Sequence, residues 1–218
     1  MHRRTLLSVL LLAAAAILCG FSCKRGGSLR NAAPPGATAT IDVTLLANGS
    51  PDSEALFARR VLWTYVPSAW LPASERLVIR SAMPSDIATA VAADRYAGPG
   101  FGGTFTNDGF TSISGNDTRA PTGPTVIYLS HSMWDNQNAT GEVILHEFAG
   151  HVHYWHALTD TQRTEWTREW DAARTRRALP TPYAATNEYE GYAECAAYYL
   201  VGKLKDPILL AWFKALPQ

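Results

Sequence analysis

Cysteine is scarce in this chain of 218 residues: there are three, and Cys19 and Cys23 fall within the first 23 positions. Only Cys195 lies beyond them, so an internal disulfide framework is excluded. An excess of either charge is missing too, since 19 Lys and Arg balance 19 Asp and Glu. Arg3, Arg4, Lys24, Arg25 and Arg30 sit in the first 30 residues, leaving 14 basic residues against 19 acidic ones in the remainder. A mildly acidic domain has no basic surface of the kind that phosphate backbones require, so nucleic acid is not expected as a partner. No apolar run reaches the roughly 18–20 residues needed to cross a bilayer, and no internal repeat is visible.

What the chain does have begins at its start. Arg3 and Arg4 precede an uncharged stretch, Leu6 to Leu18, which is followed by the small or polar Gly20 and Ser22. A basic start, an apolar middle and a small-residue end make a secretory signal, assigned to residues 1–23. Two endings of that signal fit. Cys23, with Ser22 before it, suits lipidation of a bacterial lipoprotein and attachment to the membrane; simple cleavage suits a secreted protein. Residues 24–40 are rich in Gly, Ala, Pro and Thr without apolar periodicity and read as a flexible tether. Residues 41–218 are then enough for a single domain with its own core.

Along that domain, helices are expected over 52–65 and 85–96, with a strand at 76–81. The Gly-, Thr- and Asn-rich stretch 98–123 suits short strands or hairpins, and Thr125–Ser130 (TVIYLS) is the clearest strand. Helical patterns then follow at 141–158, 160–177, 187–204 and 207–216. Thr159 and Asp160 form a capping signal, and Pro180 and Pro182 interrupt the chain. The implied class is α+β, with a small sheet in the N-terminal half and a helical C-terminal half carrying the site. Strand Thr125–Ser130 is also the expected edge for pairing with an extended peptide.

The chemistry concentrates in EVILHEFAGHVHYWH, residues 142–156. Zinc peptidases use two neutral imidazoles on one helix face and a Glu beside the first that acts on the attacking water. His146, Glu147 and His151 supply those types, but the histidines are five apart where four is usual. Five residues at roughly 100° each turn the second imidazole by about 140°, which a regular α-helix cannot aim at one ion. A local π-bulge around 148–150 would absorb the additional residue, and Gly150 offers the permissive backbone. Other pairings do worse. His146 and His153 stand about 10 Å apart along a helix axis, and His151 with His156 repeats the spacing without an adjacent Glu. His153 and His156 therefore read as packing residues. Downstream, Glu190 and Glu194 are four apart on an expected helix and share a face among apolar neighbours. One can complete a His2Glu site, and the other can hold a ligand imidazole by its distal N–H. Glu188 is the competing acid, with a more exposed setting.

These residues resemble the gluzincin metallopeptidases, most of all the catalytic domain of the anthrax lethal factor group. That group carries HEFGH, a tyrosine, and ExxAE seven residues after the tyrosine. Here Tyr183 precedes Glu190 by seven, and Glu190 to Glu194 reads EGYAE. The HEFAGH spelling is also similar to the HExxGH of dipeptidyl peptidase III. The resemblance covers about 75 residues, from Thr125 to Leu200, and adds little for 41–123. It implies a zincin-like fold, with Zn2+ held by His146, His151 and Glu190 and Glu194 supporting a ligand. It also implies Glu147 as general base and Tyr183 as the hydroxyl that stabilises the oxyanion. The expected activity is hydrolysis of peptide bonds in a peptide or protein substrate by a metal-activated water, outside the cytoplasm. Two rival readings remain: a catalytically silent zinc-binding protein, and a metal-free envelope binding protein with structural histidines.

Overall fold

The computed structural model describes residues 40–45, 51–70, 76–82, 109–112, 125–130 and 137–218; side chains are described at 56–70, 129 and 141–218. The signal at 1–23 with Cys23, the tether up to residue 39, the helix at 85–96 and most of 98–123 lie outside the described residues. Thr40, placed in the tether by the sequence, opens the first strand.

Strand β1 (Thr40–Leu45) is followed by helix α1 (Pro51–Tyr65), a 3-10 turn at Ser68–Trp70, then β2 (Arg76–Ala82), β3 (Gly109–Ser112) and β4 (Thr125–Ser130). The strands form one sheet in the order β1-β2-β4-β3, with β2 parallel to both β1 and β4, and β3 antiparallel to β4. The expectation that Thr125–Ser130 is an edge is therefore wrong. β2 and β3 take its two sides, and among the described strands the edges are β1 and β3. Its apolar run VIYL fits a central position, where partners on both sides satisfy the backbone.

The α+β, zincin-like class with a small N-terminal sheet is corrected as well. Where backbone and side chains are both described, the chain is 74% helical, and residues 141–218, which hold the candidate site, contain no strand. Helix packs on helix there, and Leu129 of β4, the one strand residue whose side chain is described, joins that core. The physical reason lies in the aromatic side chains. Trp166, Tyr192 and Phe213 come from three different helices and are all buried. Tyr192 lies with ring centroids 5.2 Å from Trp166 and 5.4 Å from Phe213. Full burial of one such side chain stabilises by about 1.5–3 kcal/mol, so this cluster ties the three helices together.

The C-terminal helices begin where their caps place them. A long helical run opens with α2 (Gln137–Leu145), continues as a π-helical segment (His146–Val152) and ends as α3 (His153–His156). Helix α4 (Asp160–Thr175) starts at Thr159, whose hydroxyl accepts from the Gln162 N–H while the Gln162 side chain accepts from the Thr159 N–H, a complete capping box. Helix α5 (Glu188–Leu200) starts at Asn187, whose side chain accepts from the N–H groups of Tyr189 and Glu190. Helix α6 (Pro207–Ala215) starts at Asp206, with Pro207 in its first turn. A 3-10 turn, Tyr183–Ala185, precedes α5. The Asn187 cap, three residues before Glu190, fixes the start of α5. No helix among the described residues is long and apolar enough to cross a membrane.

Candidate metal centre

The five-residue step between His146 and His151 coincides with the π-helical segment, and the widening is visible in the backbone. The N–H of His153 reaches the carbonyl of Phe148, five residues back. The segment encloses the expected site of distortion at 148–150. Phe148, Ala149, Gly150 and Val152 are buried, which leaves His146 and His151 partly open on the other side.

Helix α5 meets this segment at a pair of small residues. A Cβ added to Gly150 would sit on the Cα and Cβ of Ala193, closer than real side chains come. Glycine is required here for close approach, and the approach allows side chains as short as glutamate to reach the imidazoles. A second contact holds the turn before α5. Gly191 lies against Trp170, whose indole N–H donates to the carbonyl of Ala184 at 2.8 Å.

Glu190 and Glu194 close on His146 from its two ring nitrogens. Nδ1 lies 3.1 Å from Glu194 Oε1, and Nε2 lies 3.1 Å from Glu190 Oε2. The same Glu190 oxygen is 3.4 Å from His151 Nε2. The two imidazoles stand edge to face, with centroids 5.1 Å apart. Glu194 is anchored further by the Thr181 hydroxyl, which donates to Oε2 at 2.6 Å, while the Ala184 N–H donates to that hydroxyl at 3.1 Å. Tyr183, in the same turn, has its ring centroid 6.0 Å from that of His146.

The electrostatics follow from burial among opposite charges. Burial disfavours a charged His146, yet its hydrogen bonds to Glu190 and Glu194 outweigh this and raise it well above the ordinary histidine value. Burial would also raise Glu190, but the charge of His151 and contact with both imidazoles hold it well below the usual carboxylate range. Glu194 is lowered in spite of burial by His146 and by Thr181. Burial, with the nearby charges of Glu190 and Glu147 and a hydrogen bond to Glu190, pushes the Tyr183 hydroxyl far up, so Tyr183 remains a neutral donor. Glu147 is itself buried.

The donor set suits a metal of zinc's preferences: two imidazole nitrogens and one carboxylate oxygen, with ligand atoms of His146, His151 and Glu190 all within 4.8 Å of one another. Ligands at about 2.0–2.1 Å from a tetrahedral ion lie roughly 3.3 Å from each other. The two Glu190–imidazole separations of 3.1 and 3.4 Å match that edge length. Donation of Nδ1–H to Glu194 would leave the Nε2 lone pair of His146 facing Glu190 and His151, the tautomer a metal needs.

The sequence assignments can be placed one by one. His146, His151, Glu190 and Glu194 come together, and Tyr183 and Glu147 flank them. His153 is a buried packing residue: it stacks on Trp70 at 4.1 Å between centroids, and its Nδ1 lies 2.7 Å from the Tyr192 hydroxyl. Burial lowers its pKa to about 3 and keeps it neutral. Glu188 is no ligand among the described groups; its backbone carbonyl accepts from Trp166. Thr181 was missed. Its only sequence signal is a hydroxyl residue between two prolines, two positions before Tyr183. No protein family, curated protein or solved structure matches the chain.

Proposed function

We propose that this chain is a zinc-dependent peptidase of gluzincin type, with His146, His151 and Glu190 as its metal ligands. The observation that carries the reading is the convergence of His146, His151 and Glu190 ligand atoms within 4.8 Å of one another, with Glu190 Oε2 at tetrahedral edge distances from both Nε2 atoms and Glu147 buried immediately after His146. A bound zinc supplies Lewis acidity toward a water and toward the scissile carbonyl.

The chain's own groups do the rest. Glu147 takes the proton of the attacking water and returns it to the leaving amine. Tyr183, kept protonated by burial and by the acidic side chains around it, donates to the developing oxyanion. Glu194 holds the His146 ring and fixes which nitrogen keeps its proton. The substrate is a peptide or protein. Strand β3, an edge among the described strands, lies against the π segment and offers a backbone for an extended peptide to pair with. The basic and apolar start of the sequence supports export, with membrane attachment at Cys23 or simple cleavage as its two outcomes.

The test is metal content together with digestion of a mixed peptide pool, with and without a chelator, for the parent and Glu147→Gln. The expected result is about one zinc per chain in both proteins, with chelator-sensitive cleavage by the parent alone. Zinc without cleavage would leave a silent zinc-binding protein, and no zinc would leave a metal-free binding protein.

A further inference from the structure

Thr181 hydrogen-bonds a residue of the candidate metal centre, and the mechanism above gives it no role. The Thr181 hydroxyl has two partners, and each belongs to a different part of the machinery. It donates at 2.6 Å to Glu194 Oε2, the oxygen that Glu194 does not use for His146. It accepts at 3.1 Å from the N–H of Ala184, the residue that follows Tyr183. One oxygen therefore fixes both the rotation of the Glu194 carboxylate and the turn that carries Tyr183.

The geometry leaves few substitutes for this link. A carboxylate on a helix has a soft terminal torsion, and one hydrogen bond to an imidazole does not set the plane of the group. A second hydrogen bond, to the other oxygen and from a different segment, does set it. The Thr181 turn is itself immobilised, because Trp170 donates to the carbonyl of Ala184 while packing against Gly191 of α5.

We propose that Thr181 is a positioning residue of the metal centre: it locks the Glu194 carboxylate that orients His146, and couples that lock to the turn bearing Tyr183. The inference rests on the metal-site reading above. It extends the support of the site one step beyond the residues that touch the ligands, and its energetic weight is that of a partner in an outer shell, typically 10–100-fold in metal affinity.

The experiment measures zinc affinity by competition with a chromophoric chelator, and the absorption spectrum of the Co2+-loaded protein, for the full chain. Thr181→Val removes the hydroxyl at nearly constant shape, Thr181→Ser keeps it, and Glu194→Ala removes its target. Thermal unfolding reports whether each variant folds, and Thr181→Ala replaces the valine variant if that one does not. Zinc affinity should fall about tenfold in Thr181→Val, with a changed Co2+ spectrum, and return to within about twofold of the parent in Thr181→Ser. In the Glu194→Ala background, Thr181→Val should add little, because its effect passes through Glu194. Parent-like affinity and spectrum in Thr181→Val would overturn the inference, and so would a serine variant as weak as valine, which would assign the effect to packing. Full additivity with Glu194→Ala would also overturn it. A parent protein that takes up neither metal would overturn the proposed function and this inference with it; the other outcomes bear on Thr181 alone.

Discussion

Replacing Gly150 by alanine probes the contact on which the whole site depends. The added Cβ would fall on the Cα and Cβ of Ala193 in α5, so the overlap is with backbone as well as with a side chain. No rotamer change can relieve it, and the helices must separate or tilt. Inserting one methyl into a packed core costs about 1–3 kcal/mol, toward the upper end when backbone has to move. Alanine is the better helix former by up to about 1 kcal/mol, which offsets part of that. A net loss of about 2 kcal/mol is expected, which for a domain of this size lowers Tm by about 4–8 °C. Function should suffer more than stability, because the same displacement moves Glu190 and Glu194 away from His146. Outer-shell and ligand disturbances of this kind cost at least tenfold in metal affinity. Thermal unfolding and zinc competition measure the two effects on one preparation. Ala193→Gly in the Gly150→Ala background removes only the Cβ half of the overlap, so it should restore both quantities in part. A Gly150→Ala protein that unfolds at the parent's temperature and binds zinc as tightly would refute the argument, since the helices could not then be in the contact described.

Single substitutions at the ligands give sharper outcomes. His146→Ala and His151→Ala should each lose most of the bound zinc, and metal analysis showing full retention in either would remove that residue from the ligand set. Glu147→Gln should keep zinc and the parent's unfolding temperature while peptide turnover falls by about 10²–10⁴-fold, the usual contribution of a general base; undiminished turnover would exclude that role. Deleting Ala149 restores a four-residue spacing and should return the π segment to α geometry without changing the register beyond it. The deletion variant is expected to fold and bind zinc, and loss of folding by circular dichroism would show that the π segment is needed for more than aiming His151. Cys195 is buried and its thiol is pushed up by burial and by the charge of Glu194, so the folded protein should resist alkylation. Rapid labelling in native buffer would contradict that placement.

The parts of this molecule legible in its sequence are those set by local chemistry. Thr159 with Asp160 announces the start of α4, and Pro207 that of α6, because a helix start needs only neighbours in sequence. The His146–His151 anomaly was legible for the same reason: helix geometry alone shows that five residues cannot aim two rings at one point unless the helix widens. The spacing of Glu190 and Glu194 also spoke for itself, since residues four apart on a helix share a face. What escaped was set by partners distant in the chain. Thr125–Ser130 has the residues of a strand, but whether it lies inside or at the edge of the sheet depends on β2 and β3. Which helices pack on one another escaped too, because Trp166, Tyr192 and Phe213 meet only in three dimensions. Thr181 is the clearest case, as its partner Glu194 lies 13 positions away on another element.

The widened turn and the small-residue contact solve one geometric problem together. A π segment exposes a broader backbone cross-section than an α-helix, so a partner helix ordinarily has to stand further off. Glutamate reaches only about three bonds beyond its Cβ, and a partner held off by larger residues could not bring Glu190 to both imidazoles. Gly150 falls inside the widened turn and faces Ala193, three residues past Glu190 and one before Glu194. The Gly150–Ala193 contact therefore lies between the two carboxylates, and each is brought within 3.1 Å of a different nitrogen of one ring. Had the additional residue of HEFAGH been inserted without the glycine, His151 would still turn toward His146. The carboxylates that complete the site would then fall short, so the glycine and the five-residue spacing have to be read as one device.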